Sequence, residues 1–135
     1  MNNKNFLDFL PSNFRHEKLF LKKNLLYDLT KLSHLTDSEL NQILKSSPLC
    51  TLNNLKKIRA ISIFNTSINI SPNEAYLLLH CGIGSIKSLS ELNPYELNER
   101  IGRLERSLGT KTQTKINLGL LKSWIQRAKN KLQDY

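Results

Sequence analysis

Apolar residues recur along this chain at intervals of three and four. Leu97, Ile101, Leu104 and Leu108 fall on one helical face, as do Leu121, Trp124, Ile125, Ala128 and Leu132. Helix starts are marked in the same way. Thr36-Asp37-Ser38-Glu39 spells a capping box, in which the threonine hydroxyl accepts the N3 amide and the glutamate reaches back to the cap. Ser71-Pro72-Asn73-Glu74 repeats the device with proline at the first helical position, where its missing N–H costs nothing. Asn93-Pro94-Tyr95-Glu96 does so again. Gly82 after Cys81 and Gly109 after Leu108 suit the left-handed residue that ends a helix. These signals predict helices near 16–23, 26–33, 37–46, 52–64, 72–81, 86–92, 94–108 and 117–132.

The pattern also repeats within the chain. Leu19-Phe20-Leu21-Lys22-Lys23-Asn24-Leu25 matches Leu77-Leu78-Leu79-His80-Cys81-Gly82-Ile83, and Leu35-Thr36-Asp37-Ser38-Glu39-Leu40-Asn41 matches Leu92-Asn93-Pro94-Tyr95-Glu96-Leu97-Asn98. The two blocks align with a one-residue gap between them, and Asn24 then stands where Gly82 stands. Asparagine is the next-best residue for a left-handed turn. The expected organisation is a single domain, 1–135. It holds a first hairpin-like repeat at 10–50, a connector helix at 52–65, a second repeat at 68–110 and a closing helix at 116–132. The length of 135 residues suits one core. Five glycines and four prolines favour helices over a turn-rich β fold.

In a helix-hairpin-helix unit two short helices meet at a Gly-hydrophobic-Gly turn whose amides can hold a phosphate. Asn69-Ile70-Ser71, followed by Pro72 to Leu78, reads as that turn and its second helix with both glycines replaced. Gly82-Ile83-Gly84-Ser85 offers a better glycine pair, but one that ends a helix and caps the next through Ser85. Tyr76-Leu77-Leu78-Leu79-His80-Cys81-Gly82-Ile83, Leu97 through Leu104, and Trp124-Ile125-Gln126-Arg127-Ala128 resemble the cyanobacterial branch of the domain-of-unknown-function 4332 family, which is helix-hairpin-helix-like. The likeness is good over roughly 52–132 and looser over the first repeat. It implies an all-α, tandem helix-hairpin-helix-like (SAM-like) compact domain with a closing C-terminal helix, related to DNA-binding hairpin domains. It brings no catalytic residues.

Charge changes the picture. The formal net charge is +9, carried unevenly: residues 1–35 have six Lys/Arg against three acids, 36–97 five against five, and 98–135 nine against three. Arg100, Arg103 and Arg106 recur every three residues beside an apolar stripe. Lys111 and Lys115 flank a Thr/Gln loop, and Lys122, Arg127, Lys129 and Lys131 lie on the final helix. On one face these would make a phosphate-binding surface, with Lys87 and the helix starts at Ser71 and Ser85 beside it. The competing reading is a solvated helix with Glu96–Arg100 and Glu99–Arg103 as i,i+4 pairs.

Other chemistry finds little support. Trp124 could stack on a base, but its place on the stripe makes it a core anchor. Tyr76 and Tyr95 follow helix starts and are open to either role. His80 and Cys81 lack metal-ligand spacing, so His80 reads as a helix C-terminal residue facing the dipole and Cys81 as core. Two distant cysteines suggest no disulfide framework and a reducing compartment. Met1–Phe14 does not read as a signal peptide, and no apolar run approaches the roughly 20 residues needed to span a bilayer. A cytoplasmic protein is expected, without enzymatic activity, metal, cofactor, membrane contact or small-molecule substrate. The first functional expectation is a sequence-independent DNA or RNA binder contacting phosphates. The alternative is a protein-interaction or adaptor module that uses the fold on an acidic partner.

Overall fold

The computed structural model describes residues 6–26, 28–108 and 116–133. All regular structure among them is helical: two short 3-10 turns, Phe6–Phe9 and Ser12–Phe14, then α1 (Arg15–Lys23), α2 (Leu29–Ser33), α3 (Asp37–Ser46), α4 (Leu52–Ile68), α5 (Pro72–His80), α6 (Ile86–Ser90), α7 (Pro94–Leu108) and α8 (Leu118–Gln133). The expected all-α class and each of the eight expected helices are present. None of these helices is long and apolar enough to cross a membrane.

The internal repeat is more regular than the sequence match implied. Arg15 and Pro72, Leu29 and Ile86, and Asp37 and Pro94 open equivalent helices, each pair 57 positions apart, and α1/α5 and α2/α6 also end 57 apart. No gap is needed. The core follows the same register: Leu21 and Leu78, Leu32 and Leu89, and Leu40 and Leu97 are all fully buried.

The turn after the first helix explains the difference. After α5, Gly82 is left-handed (φ 85°), while Ile83 N–H donates to Leu78 O (3.0 Å) and Gly82 N–H to Leu79 O (3.0 Å), the double bond that closes a helix end. After α1 the same bonds run from Leu26 to Leu21 O (2.8 Å) and from Leu25 to Lys22 O (3.2 Å). The left-handed residue is therefore Leu25 (φ 57°), not Asn24, whose side-chain amide donates to Phe20 O instead. With Leu26 used in this turn, α2 starts at Leu29, not near residue 26, and Asp28 caps it by accepting from Thr30 N–H.

The helix expected at 52–64 extends to Ile68 and is more than a connector. α2 packs chiefly on α4 just as α6 packs chiefly on α8, and α3 and α7 rest on the same two helices. Each half thus ends in its own closing helix. Thr51 and Asn117 cap these two helices, accepting from Asn54 and Leu120 N–H. The buried residues Leu55, Ile58 and Ser62 of α4 match Leu121, Trp124 and Ala128 of α8, each 66 positions on. α4 also packs on α5 and α8, and so joins the halves into one core. Leu132, expected on the α8 stripe, is 38 % exposed.

Candidate nucleic-acid interface

Capping boxes form at Thr36/Glu39 and Ser71/Glu74, and Ser85 forms a third with Ser88. The start at Asn93 is capped differently, by Asn93 Oδ1 accepting from Tyr95 N–H (2.8 Å). These caps consume the amides a phosphate would use. Ser71 N–H donates to Glu74 Oε1 (3.4 Å), Glu74 N–H to Ser71 Oγ (3.3 Å), and Ser85 N–H to Ser88 Oγ (3.2 Å). In the turn between α4 and α5 Asn69 does adopt the left-handed conformation (φ 57°), but its N–H and that of Ile70 donate back to α4 carbonyls.

Arg127, expected among the phosphate contacts, serves this turn from inside. Its Nη1 donates to Ile68 O and Asn69 O, both at 3.2 Å, which satisfies the last carbonyls of α4 and ties α8 to the α4–α5 turn. Beside it lies a groove of about 340 Å³ lined by Ser67, Asn69, Asn130 and Lys131.

The arginines of α7 are paired within their own helix. Arg100 donates to Glu96 (2.9 Å) and Arg103 to Glu99, the i,i+4 pairs that the competing reading required. The Arg103 guanidinium, through its hydrogen bond and charge, holds the Glu99 carboxyl below its usual range. With three arginines against Glu96, Glu99 and Glu105, α7 is neutral along its length. Arg106 is exposed. Lys111, Lys115 and Gly109 lie outside the described residues.

The uncompensated charge belongs to the closing helices instead. α8 carries Lys122, Arg127, Lys129 and Lys131, and α4 carries Lys56, Lys57 and Arg59, with no acid inside either helix. Lys122 and Lys129 are exposed, and the Lys122 ammonium lies 5.7 Å from the centre of the Tyr95 ring, itself 63 % exposed. α6 packs on α8, and a groove of about 300 Å³ between it and α4 is lined by Lys56, Arg59, Gly84, Ser85 and Ile86, with exposed Lys87 next in the chain. Arg59 is committed, donating to Leu35 O (3.1 Å) and pairing with Asp37 (2.8 Å). The sequence reading passed over α4 because residues 36–97 sum to zero. A count by helix would have found it.

The remaining candidates settle into packing roles. Trp124 is 1 % exposed, a core anchor as expected. His80 ends α5 with its ring against Tyr76 (4.4 Å), and Tyr76 in turn meets Phe14 of the first half (6.0 Å). Cys50 is buried and Cys81 half-buried, and burial pushes both thiols up from their ordinary values, away from the reactive thiolate. No three His, Cys, Asp or Glu side chains cluster as metal ligands among the described residues.

The arrangement defines an all-helical protein of two like four-helix units whose cationic surface sits on the closing helix of each. The model of the family described as Domain of unknown function (DUF4332) matches residues 11–131, and the chain belongs to that family. No curated protein and no solved structure matches it.

Proposed function

We propose that this chain is a non-catalytic, sequence-independent nucleic-acid binder that contacts phosphates through α4, α6 and α8, with the tandem hairpin-like units as scaffold. One observation carries the reading: the two closing helices hold seven Lys/Arg and no acid, and among the described residues only Arg59 of the seven is ion-paired, to Asp37. Cations without local counter-charge release bound counterions from a phosphate backbone, and this drives salt-sensitive binding. Lys56, Lys87, Lys122 and Lys129 are the main contacts, all exposed. Arg103 and Arg106 assist from α7, since exposed helix pairs are weak and can exchange for phosphate. Arg127, and the capped starts at Ser71 and Ser85, shape the surface more than they touch the ligand. Two cysteines that form no disulfide with each other suit a reducing, cytoplasmic setting.

The test is a titration of duplex DNA, single strands and RNA at two or more salt concentrations. About four phosphate contacts give a log–log slope on the order of −4 on duplex DNA. Lys122→Glu with Lys129→Glu should flatten that slope by about two and weaken all sequences alike. A flat salt response in the unsubstituted chain, or no binding at low salt, overturns the reading.

A further inference from the structure

A second surface lies in the first unit, lined by α1 and the end of α3. Leu19, Leu25 and Leu49 are 67 %, 66 % and 66 % exposed, three of the five large apolar side chains so placed among the described residues. Leu19 and Leu49 flank an open groove of about 610 Å³ between α1 and the end of α3, with half-buried Phe20 also lining it. Lys23 is its charged lining, with the His16 imidazole beside it and no acid. Leu25 follows directly, an exposed leucine held left-handed at the position glycine takes in the second unit. A side chain kept at that backbone cost, and turned to solvent, marks a surface selected for something other than stability.

The second unit shows what such a surface takes. α7 has 15 residues where its equivalent α3 has 10, so its last turns run past the point where α3 stops. α7 packs on α5, and both Arg100 and Glu105 act electrostatically on Cys81, the equivalent of the groove residue Asn24. In the second unit α5, the equivalent of α1, is thus packed by an amphipathic helix, α7, in which glutamates and arginines are equal in number.

We propose that the α1/α3 groove docks an amphipathic, acidic helix of a partner protein, its leucine face on Leu19, Phe20 and Leu49 and its carboxylates toward His16 and Lys23. Charge selects this occupant over a second copy, because two chains of net charge +9 would oppose like-charged rims. The surface is independent of the nucleic-acid reading and stands or falls alone.

The probe is a synthetic helical peptide about four turns long, with leucines at i, i+4 and i+7 and glutamates elsewhere, followed by fluorescence anisotropy. Its controls are a scrambled isomer and a version with lysines for glutamates. Saturable binding of the acidic helix is expected, weakened about tenfold or more by Leu19→Asp or Leu49→Asp. Lys23→Glu should reduce it and favour the lysine version. Both leucines are exposed, so circular dichroism of the variants should be unchanged, and the Leu19→Asp chain should titrate DNA as before. No binding of the acidic helix overturns the proposal, as does equal binding of the scrambled isomer. Vesicles of anionic phospholipid captured through Leu19 in place of the peptide, or a dimer that Leu19→Asp dissolves, would assign the groove to another occupant and equally overturn it.

Discussion

The two units of this protein are built to one plan and finished differently. In the second, each helix is satisfied locally: Ser71 and Glu74 cap α5 between themselves, Gly82 closes its end without strain, and the arginines of α7 pair with glutamates one turn away. In the first, the same positions reach further. Phe14 offers no side-chain cap, so Glu17, the equivalent of Glu74, is buried at 1 % exposure. It accepts from Thr51 N–H (2.8 Å) and Asn54 Nδ2 (3.2 Å) at the start of α4. A carboxylate there also meets the positive end of the helix dipole. One register position thus serves as a local cap in one unit and as a tie between helices in the other.

The largest effects should come from the closing helices, where the comparison is tightest. Trp124→Ala should cost about 3–5 kcal/mol, and Ile58→Ala, at the equivalent place in α4, about 2–5 kcal/mol. Trp124 is the only tryptophan, so its fluorescence reports the second unit while far-ultraviolet circular dichroism reports both. Because α4 packs on α5 and α8, Ile58→Ala should move both signals together in denaturant. A tryptophan transition that ignores Ile58→Ala would show that the units unfold separately.

Glu17 and Glu74 give the next contrast. Glu17→Ala removes the acceptor of the part-buried Thr51 amide and one of the two acceptors of the Asn54 side-chain amide, for a loss of about 1–3 kcal/mol. Glu74→Ala removes only one arm of a capping box and should cost about 0.5–1 kcal/mol. Equal losses in chemical denaturation would mean that Glu17 acts only on its own helix.

The left-handed turn supplies a smaller, two-sided test. Gly82→Leu forces a side chain into φ 85° and should destabilise by about 1–2 kcal/mol. Leu25→Gly relieves the same constraint, offset by the freer unfolded chain, for a gain of about 0.5–1 kcal/mol. If Leu25→Gly lowers the melting temperature, the leucine is held by packing and not displayed at a cost.

How much of this could be read from the residues alone varies with the range of the interaction. Local codes were legible: the Thr36 and Ser71 boxes, Gly82 as a helix end and Trp124 as a core anchor follow from neighbours three or four residues away. The register of the repeat was blurred because Leu25 occupies a glycine position, and the match chose Asn24 on propensity. Interactions across the chain left no local mark. Arg127 reads as a surface cation until its guanidinium is seen on Ile68 O, and Glu17 reads as an ordinary helix acid until Thr51 arrives above it. The charge was legible in sum but not in place, since pairing within α7 is visible only by counting acids on the same helix.

The smallest expected difference is in acid sensitivity, and it too separates the units. Asp37 of α3 pairs with Arg59 of α4, and its equivalent in α7 is Pro94, so the second unit has no such link. The hydrogen bond and charge of Arg59 hold the Asp37 carboxyl below its ordinary value of 3.8. A carboxyl lowered in the folded state contributes stability that is fully present above its unfolded value and is lost as pH falls through the lowered folded value. Asp37→Asn should therefore lower the melting temperature slightly near neutral pH, and the gap to the unsubstituted chain should close below about pH 4. Because the carboxyl is exposed to solvent, salt should shrink the gap as well. A gap that persists unchanged in acid would show that Asp37 acts through its uncharged side-chain shape at the helix start, and that the α3–α4 tie rests on Arg59 and Leu35 O alone.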